Sequence, residues 1–143
     1  MLSNTSNFAI RALIYLELYS SPEKKVGIKQ MVEDMDIPAP FLSKILQLLV
    51  KGKLLDSSKG PNGGFSLLKP AIDIALINVI EAIDGKETFG NCMIKSTTCE
   101  ATEPCSVHHK ISQIKGQVKK QFSTETIADL VSEFREGEDR IRI

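Results

Sequence analysis

Outside residues 91–109 the chain has no cysteine and no histidine. All three cysteines and both histidines fall within "NCMIKSTTCEATEPCSVHH". No run of about 18 apolar residues is long enough to cross a bilayer, and no basic stretch precedes an apolar one near the start. The expectation is therefore a cytoplasmic protein without a membrane partner, its thiols kept reduced. An odd cysteine count argues against a disulfide framework, leaving open one redox-active pair with a spare thiol. Internal repeats and low-complexity segments are also missing. There is no nucleophile–base constellation, and the only histidines adjoin the cysteines, so an enzyme or a simple electron carrier is the weakest reading. What remains is 42% apolar, enough for an ordinary core in one domain or one domain with a short appended element.

Net charge is zero, yet it is unevenly spread. Residues 1–70 carry nine Lys/Arg against six Asp/Glu, and residues 71–143 carry nine against twelve. Between Phe41 and Lys69 five lysines (44, 51, 53, 59 and 69) face Asp56 alone. Such a stretch can meet phosphates or be a solvated face.

Hydrophobic periodicity predicts a first helix from the Ser3–Asn7 polar cluster to about Tyr19, stopped by Ser21-Pro22. Ile28, Met31, Val32 and Met35 follow at i, i+3, i+4, i+7, and "DIPAP" ends that short helix. A third starts near Pro40, where an N1 proline costs no hydrogen bond, with Leu42, Ile45, Leu46 and Leu49 on one face and Gly52 at C′. Two short helices with a tight turn make a helix-turn-helix, or any helical hairpin. "KLLDSSKGPNGGFSLLKP" then reads as strand, Gly-rich turn and strand, with Asn62-Gly63 and Gly63-Gly64 accepting positive φ. A hairpin at that place is a wing. Lys59, beside backbone bared by Gly60, Gly63 and Gly64, could approach a phosphate or a minor groove.

Asp73 is placed to cap a helix carrying Leu76, Val79, Ile80 and Ile83 and ended by Gly85. A long helix from about Pro104 to Phe122 presents Val107, Ile111, Ile114, Val118 and Phe122 as a narrow apolar stripe, closer to a coiled-coil seam than to a core face. The stripe predicts a homodimer, which would set two reading heads across a two-fold axis on palindromic double-stranded DNA. Its alternative is packing on the chain's own first helix. A final helix begins at Thr124 and uses Ile127, Leu130, Val131 and Phe134. The fold expected is mainly α: a winged helix-turn-helix over residues 1–84, then a Cys/His loop, dimerisation helix and C-terminal helix over 85–143.

The cysteines run Cys92-x₆-Cys99-x₅-Cys105-x₂-His108, with neither a close zinc knuckle nor a ferredoxin spacing. Three thiolates and one imidazole suit zinc or an iron–sulfur cluster. Cys105 and His108 stand i, i+3 on one helical face, and His109 points elsewhere. Three unligated thiols are the plain alternative.

Together "RALIYL", "KGPNGGF" and the three-cysteine loop resemble the Rrf-type (IscR/NsrR-like) winged helix-turn-helix regulators, over about Asn4 to Phe134. The resemblance implies a DNA-binding transcriptional regulator, usually a repressor, governed by an iron–sulfur cluster. It implies Cys92, Cys99 and Cys105 as thiolate ligands and His108 as the imidazole ligand. Pro40, Phe41, Ser43 and Lys44 match the groove-facing start of the recognition helix, and Lys59 the basic wing residue. Where the nitric-oxide sensors of the family supply a carboxylate from the partner's first helix, this chain has Asn7, with Arg11 one turn on near the partner's cluster. An amide is a poor iron ligand, which favours a 2Fe–2S over a 4Fe–4S cluster. Zinc, or direct thiol oxidation on the same fold, is the competing arrangement.

Overall fold

Ser3 starts the first helix by accepting the Ser6 N–H on its side-chain oxygen at 3.0 Å, which satisfies one of the donors a helix start leaves open. The computed structural model describes residues 2–90 and 106–136, with backbone alone at 134–136. Helix α1 (Asn4–Tyr19) leads to α2 (Ile28–Met35), α3 (Ala39–Lys51), strands β1 (Leu55–Ser58) and β2 (Gly64–Leu67), α4 (Leu76–Asp84), α5 (His108–Thr124) and α6 (Ile127–Glu136). Short 3-10 turns occupy Ala71–Asp73 and Lys86–Phe89. The class is the expected one, mainly helical with one two-stranded sheet.

Most of α1 is buried, including Ala9, Ala12, Leu13 and Leu16, because it is the helix against which α3, α4, α6 and β2 pack. Met31 and Met35 from α2, Leu42, Ile45, Leu46 and Leu49 from α3, and Val79 from α4 complete the main core. Ile127 and Val131 of α6 belong to the same cluster. The backbone closes this contact: Leu76 N–H donates to Glu125 O and Ile127 N–H to Ile74 O, both at 2.9 Å. A cut at residue 84 therefore does not follow a packing boundary. A smaller cluster of Ile77, Ile80 and Phe89 takes in Leu2, Val118 and Phe122.

Antiparallel β1 and β2 pair Leu55 with Leu67 and Ser58 with Gly64. Val26 adds a single bridge to Phe65, exchanging hydrogen bonds of 3.0 and 2.8 Å.

Several boundaries differ from the expectation. Gly52 caps α3 with φ −74°, and the left-handed residue is Lys53 at φ 57°. Gly52 is needed for space, since a Cβ there would stand 2.8 Å from that of Ala82. Asp73 lies in a 3-10 turn, and the Ala75 N–H at the start of α4 is taken by Asn78 Oδ1 at 3.2 Å. Helix α5 continues to Thr124, and α6 starts after Thr126, whose N–H and hydroxyl both donate to Asp129 Oδ2 while its hydroxyl accepts the Asp129 N–H. That reciprocal pair is a stronger start signal than Thr124 offers. Pro104 and Cys105, and the side chain of Phe134, lie outside the described residues.

Candidate nucleic-acid interface and metal centre

The turn between α2 and α3 is made by Asp36, in the left-handed region at φ 53°, which Asp tolerates better than most residues. Buried Ile37 then drives the chain into the core before Pro38 and Pro40 open α3. Tyr15 donates its hydroxyl to Asp34 Oδ2 at 2.5 Å, tying α2 to α1. Burial first, and then the Asp34 carboxylate, push that hydroxyl well above its usual pKa.

With Leu42, Ile45, Leu46 and Leu49 turned inward, α3 exposes Pro40, Lys44, Gln47 and Lys51 and leaves Ser43 half-buried. These fall on one face at helical spacing, a set of amide, hydroxyl and ammonium donors suited to base edges and phosphates. Gln47 was not anticipated; the spacing of the buried residues would have found it. Phe41 is half-buried and meets Phe8 edge-on at 5.4 Å, so its ring works as a brace between α3 and α1.

Lys59 and Asn62 are exposed on the wing and Gly63 is half-buried, with the Gly63 N–H closing a turn on Gly60 O at 2.9 Å. Positive φ occurs at Gly60 (103°) and Gly64 (142°), not at Asn62-Gly63. At Gly64 a Cβ would stand 2.4 Å from Val26 O, so only glycine lets β2 approach Val26. Asp56, the one carboxylate in the basic stretch, is held by Lys25 Nζ at 2.6 Å. The lysine holds its carboxyl below the usual range.

Cys92, Cys99 and Cys105 lie outside the described residues. Their flanks are described. Phe89 and Gly90 on one side, and His108 on the other, line one cavity of about 320 Å³ together with Ile111, Ser112, Lys115, Gly116 and Lys119. His108 is the first residue of α5, half-buried, with His109 edge-on at 5.5 Å. Among the described residues no three metal-ligating side chains converge. Asn7 is exposed on α1, and the Arg11 guanidinium lies 5.2 Å from the Phe8 ring centre.

The apolar stripe of α5 divides. Val118 and Phe122 pack on α4 and the 3-10 turn, with Phe122 and Phe89 rings 6.1 Å apart. Ile111 and Val107 are half-buried, whereas Ile114 is 53% exposed. The helix against which the stripe packs is α4, not α1. Among the described residues no helix is long and apolar enough to cross a membrane.

The sequence model of the Rrf2 family, described as an iron-dependent transcriptional regulator, matches residues 2–133. An HTH-type transcriptional regulator of Aquifex aeolicus (strain VF5) is 35% identical over 132 residues, 91% of this chain and 90% of that protein. The HTH-type transcriptional regulator NsrR of Oceanobacillus iheyensis is 29% identical over 131 residues, 91% of this chain and 88% of that one. Among solved structures, CymR, the global cysteine regulator of B. subtilis, superposes with a TM-score of 0.77 at 20% identity, covering 93% of this chain and 97% of its own. IscR of T. potens gives 0.73 at 20% identity, covering 98% and 92%.

Proposed function

This chain belongs to the Rrf2 family of transcriptional regulators, and from that premise we propose that it is a homodimeric repressor whose operator affinity is set by an iron–sulfur cluster. Cys92, Cys99, Cys105 and His108 would hold the cluster, as 2Fe–2S in preference to 4Fe–4S. The observation that carries the reading is the shared cavity: Gly90 and His108, on either side of the cysteine segment, line the same space. Lys115 and Lys119 stand in that lining. Cations suit a thiolate-ligated cluster, which is anionic, and the apolar Phe89 and Ile111 suit its sulfides. When bound, such a group supplies a state that oxidants, nitric oxide or iron supply can change.

The protein's own residues do the rest. Ser43, Lys44, Gln47 and Lys51 present donors to the major groove and Lys59 brings a charge to the backbone or minor groove. The bound state alters the operator equilibrium only through different affinities for the two arrangements of the dimer. Ile114 is the apolar residue of α5 left for a partner chain.

The test is anaerobic reconstitution with iron and sulfide, analysis of both, and operator titration of loaded protein and Cys99→Ala at one salt concentration. Expected are a broad visible absorbance lost in Cys99→Ala and an affinity difference of roughly 5–150-fold. Iron-free protein whose affinity responds to peroxide would put thiol sensing in place of the cluster, and tightly held zinc would make the site structural.

A further inference from the structure

We propose that Asp84 is the positioning residue that couples the cysteine segment to the recognition helix, through the first turn of α1; the inference rests on the sensing reading above. Asp84 is the last residue of α4, where the helix dipole disfavours a carboxylate. Its partners explain its place. Oδ1 accepts the Ser3 hydroxyl at 2.5 Å, and Oδ2 accepts the Ser6 hydroxyl at 2.8 Å and the Ser3 N–H at 3.3 Å. The carboxylate thus lies across the start of α1, where the dipole favours it, and Ser3 still caps the helix through Ser6 N–H. Ser6 is fully buried, so no water can replace Asp84 as acceptor without the elements parting.

Both sides of this clamp lead somewhere. On the α4 side the chain turns at Gly85 (φ 91°) and passes through Lys86–Phe89 to Gly90, the wall of the cavity beside His108. Leu2, next to Ser3, packs with Phe89, Val118 and Phe122 in the smaller cluster. On the α1 side, one turn past Asn4, Phe8 meets Phe41 at 5.4 Å. Phe41 lies in the first turn of α3, two residues before Ser43 and three before Lys44. Polar clamp and apolar contact therefore fix the first turn of α1 to the cavity wall, and α1 fixes the start of the reading helix. A shift of the α4 terminus on loading must move Phe8 or break the clamp, because packed interiors transmit displacement.

The experiment measures the ratio of operator affinities of the iron–sulfur-reconstituted and chelator-emptied forms, on one duplex selected from a random pool, in wild type, Asp84→Ala and Phe8→Leu. Amide exchange at residues 41–44 is followed in the same samples. In Asp84→Ala the loaded/emptied ratio should move toward one by roughly threefold or more, while thermal stability falls equally in both forms. Exchange at 41–44 should then stop responding to loading. Phe8→Leu should reduce the ratio too, and the double variant should show less than the product of the two losses. Ser6→Ala, which removes one arm of the clamp and leaves the Ser3 cap, carries the same test where Asp84→Ala is too unstable to load. A wild-type ratio away from one that Asp84→Ala and Ser6→Ala leave unchanged overturns the relay alone. A wild-type ratio of one overturns the sensing reading, and the relay with it.

Discussion

Gly64 joins two demands that no other residue meets: φ of 142° and a carbonyl oxygen 2.4 Å from where a Cβ would stand. Gly64→Ala should destabilise the protein by about 1–3 kcal/mol from the backbone strain alone. The wing should also part from Val26, seen as faster exchange of the Phe65 and Val26 amides. Equal protection in the variant would mean the bridge is not what holds the wing. Asp56 acts on the same hairpin by charge. Its carboxyl is held below the ordinary value by Lys25, so the unfolded chain binds its proton first. Its contribution is present above the unfolded value of about 3.9 and is lost as pH falls through the lower folded one. A carbon-13 titration of Asp56 with a midpoint below that value, absent in Lys25→Ala, is the expected result.

Among the elements, α2 and α3 were the most legible. Their apolar residues repeat at i, i+3, i+4, i+7 because each helix buries one face only, and burial follows that pattern. Helix α5 was harder to read. Spacing joins Ile111, Ile114, Val118 and Phe122, but the inward face is Ile111, Lys115, Val118 and Phe122, with Lys115 only 8% exposed. A lysine reads as solvent-facing in a sequence, whereas its four-carbon stem buries readily. The exposed face of α3 can be read by elimination from its core face, except that Phe41 is turned to Phe8 by a contact between distant segments. Phe122→Ala should lower protomer stability by about 2 kcal/mol, less than for a fully buried ring, measured by urea denaturation. A variant as stable as wild type would leave Phe122 available to a partner chain instead.

For the whole molecule, the assembly proposed from spacing is tested at one exposed residue. Ile114→Glu should leave the protomer's unfolding midpoint nearly unchanged, because the side chain is 53% exposed in the single chain. It should convert a sedimenting dimer to monomer by burying an unpaired carboxylate between copies. Val118→Glu should do the opposite, unfolding the protomer. An Ile114→Glu protein that remains dimeric would place the interface on another face. The cysteine segment lies outside the described residues and has no hydrophobic period in its sequence, so periodicity had nothing to read there.

The backbone bonds from Ile127 to Ile74 and from Leu76 to Glu125 bear on how the chain comes to be made. They close a loop of about 50 residues, at a chain-entropy cost of roughly 3 kcal/mol that local helices do not bear. Ile127 and Val131 complete the core around α1, so the helices ahead of the cysteine segment cannot settle fully while α6 is still inside the ribosome. All three cysteines precede α6 in the chain and therefore leave the exit tunnel before it. During synthesis there is thus an interval in which the cysteine segment is outside the ribosome while the core around α1 is still incomplete.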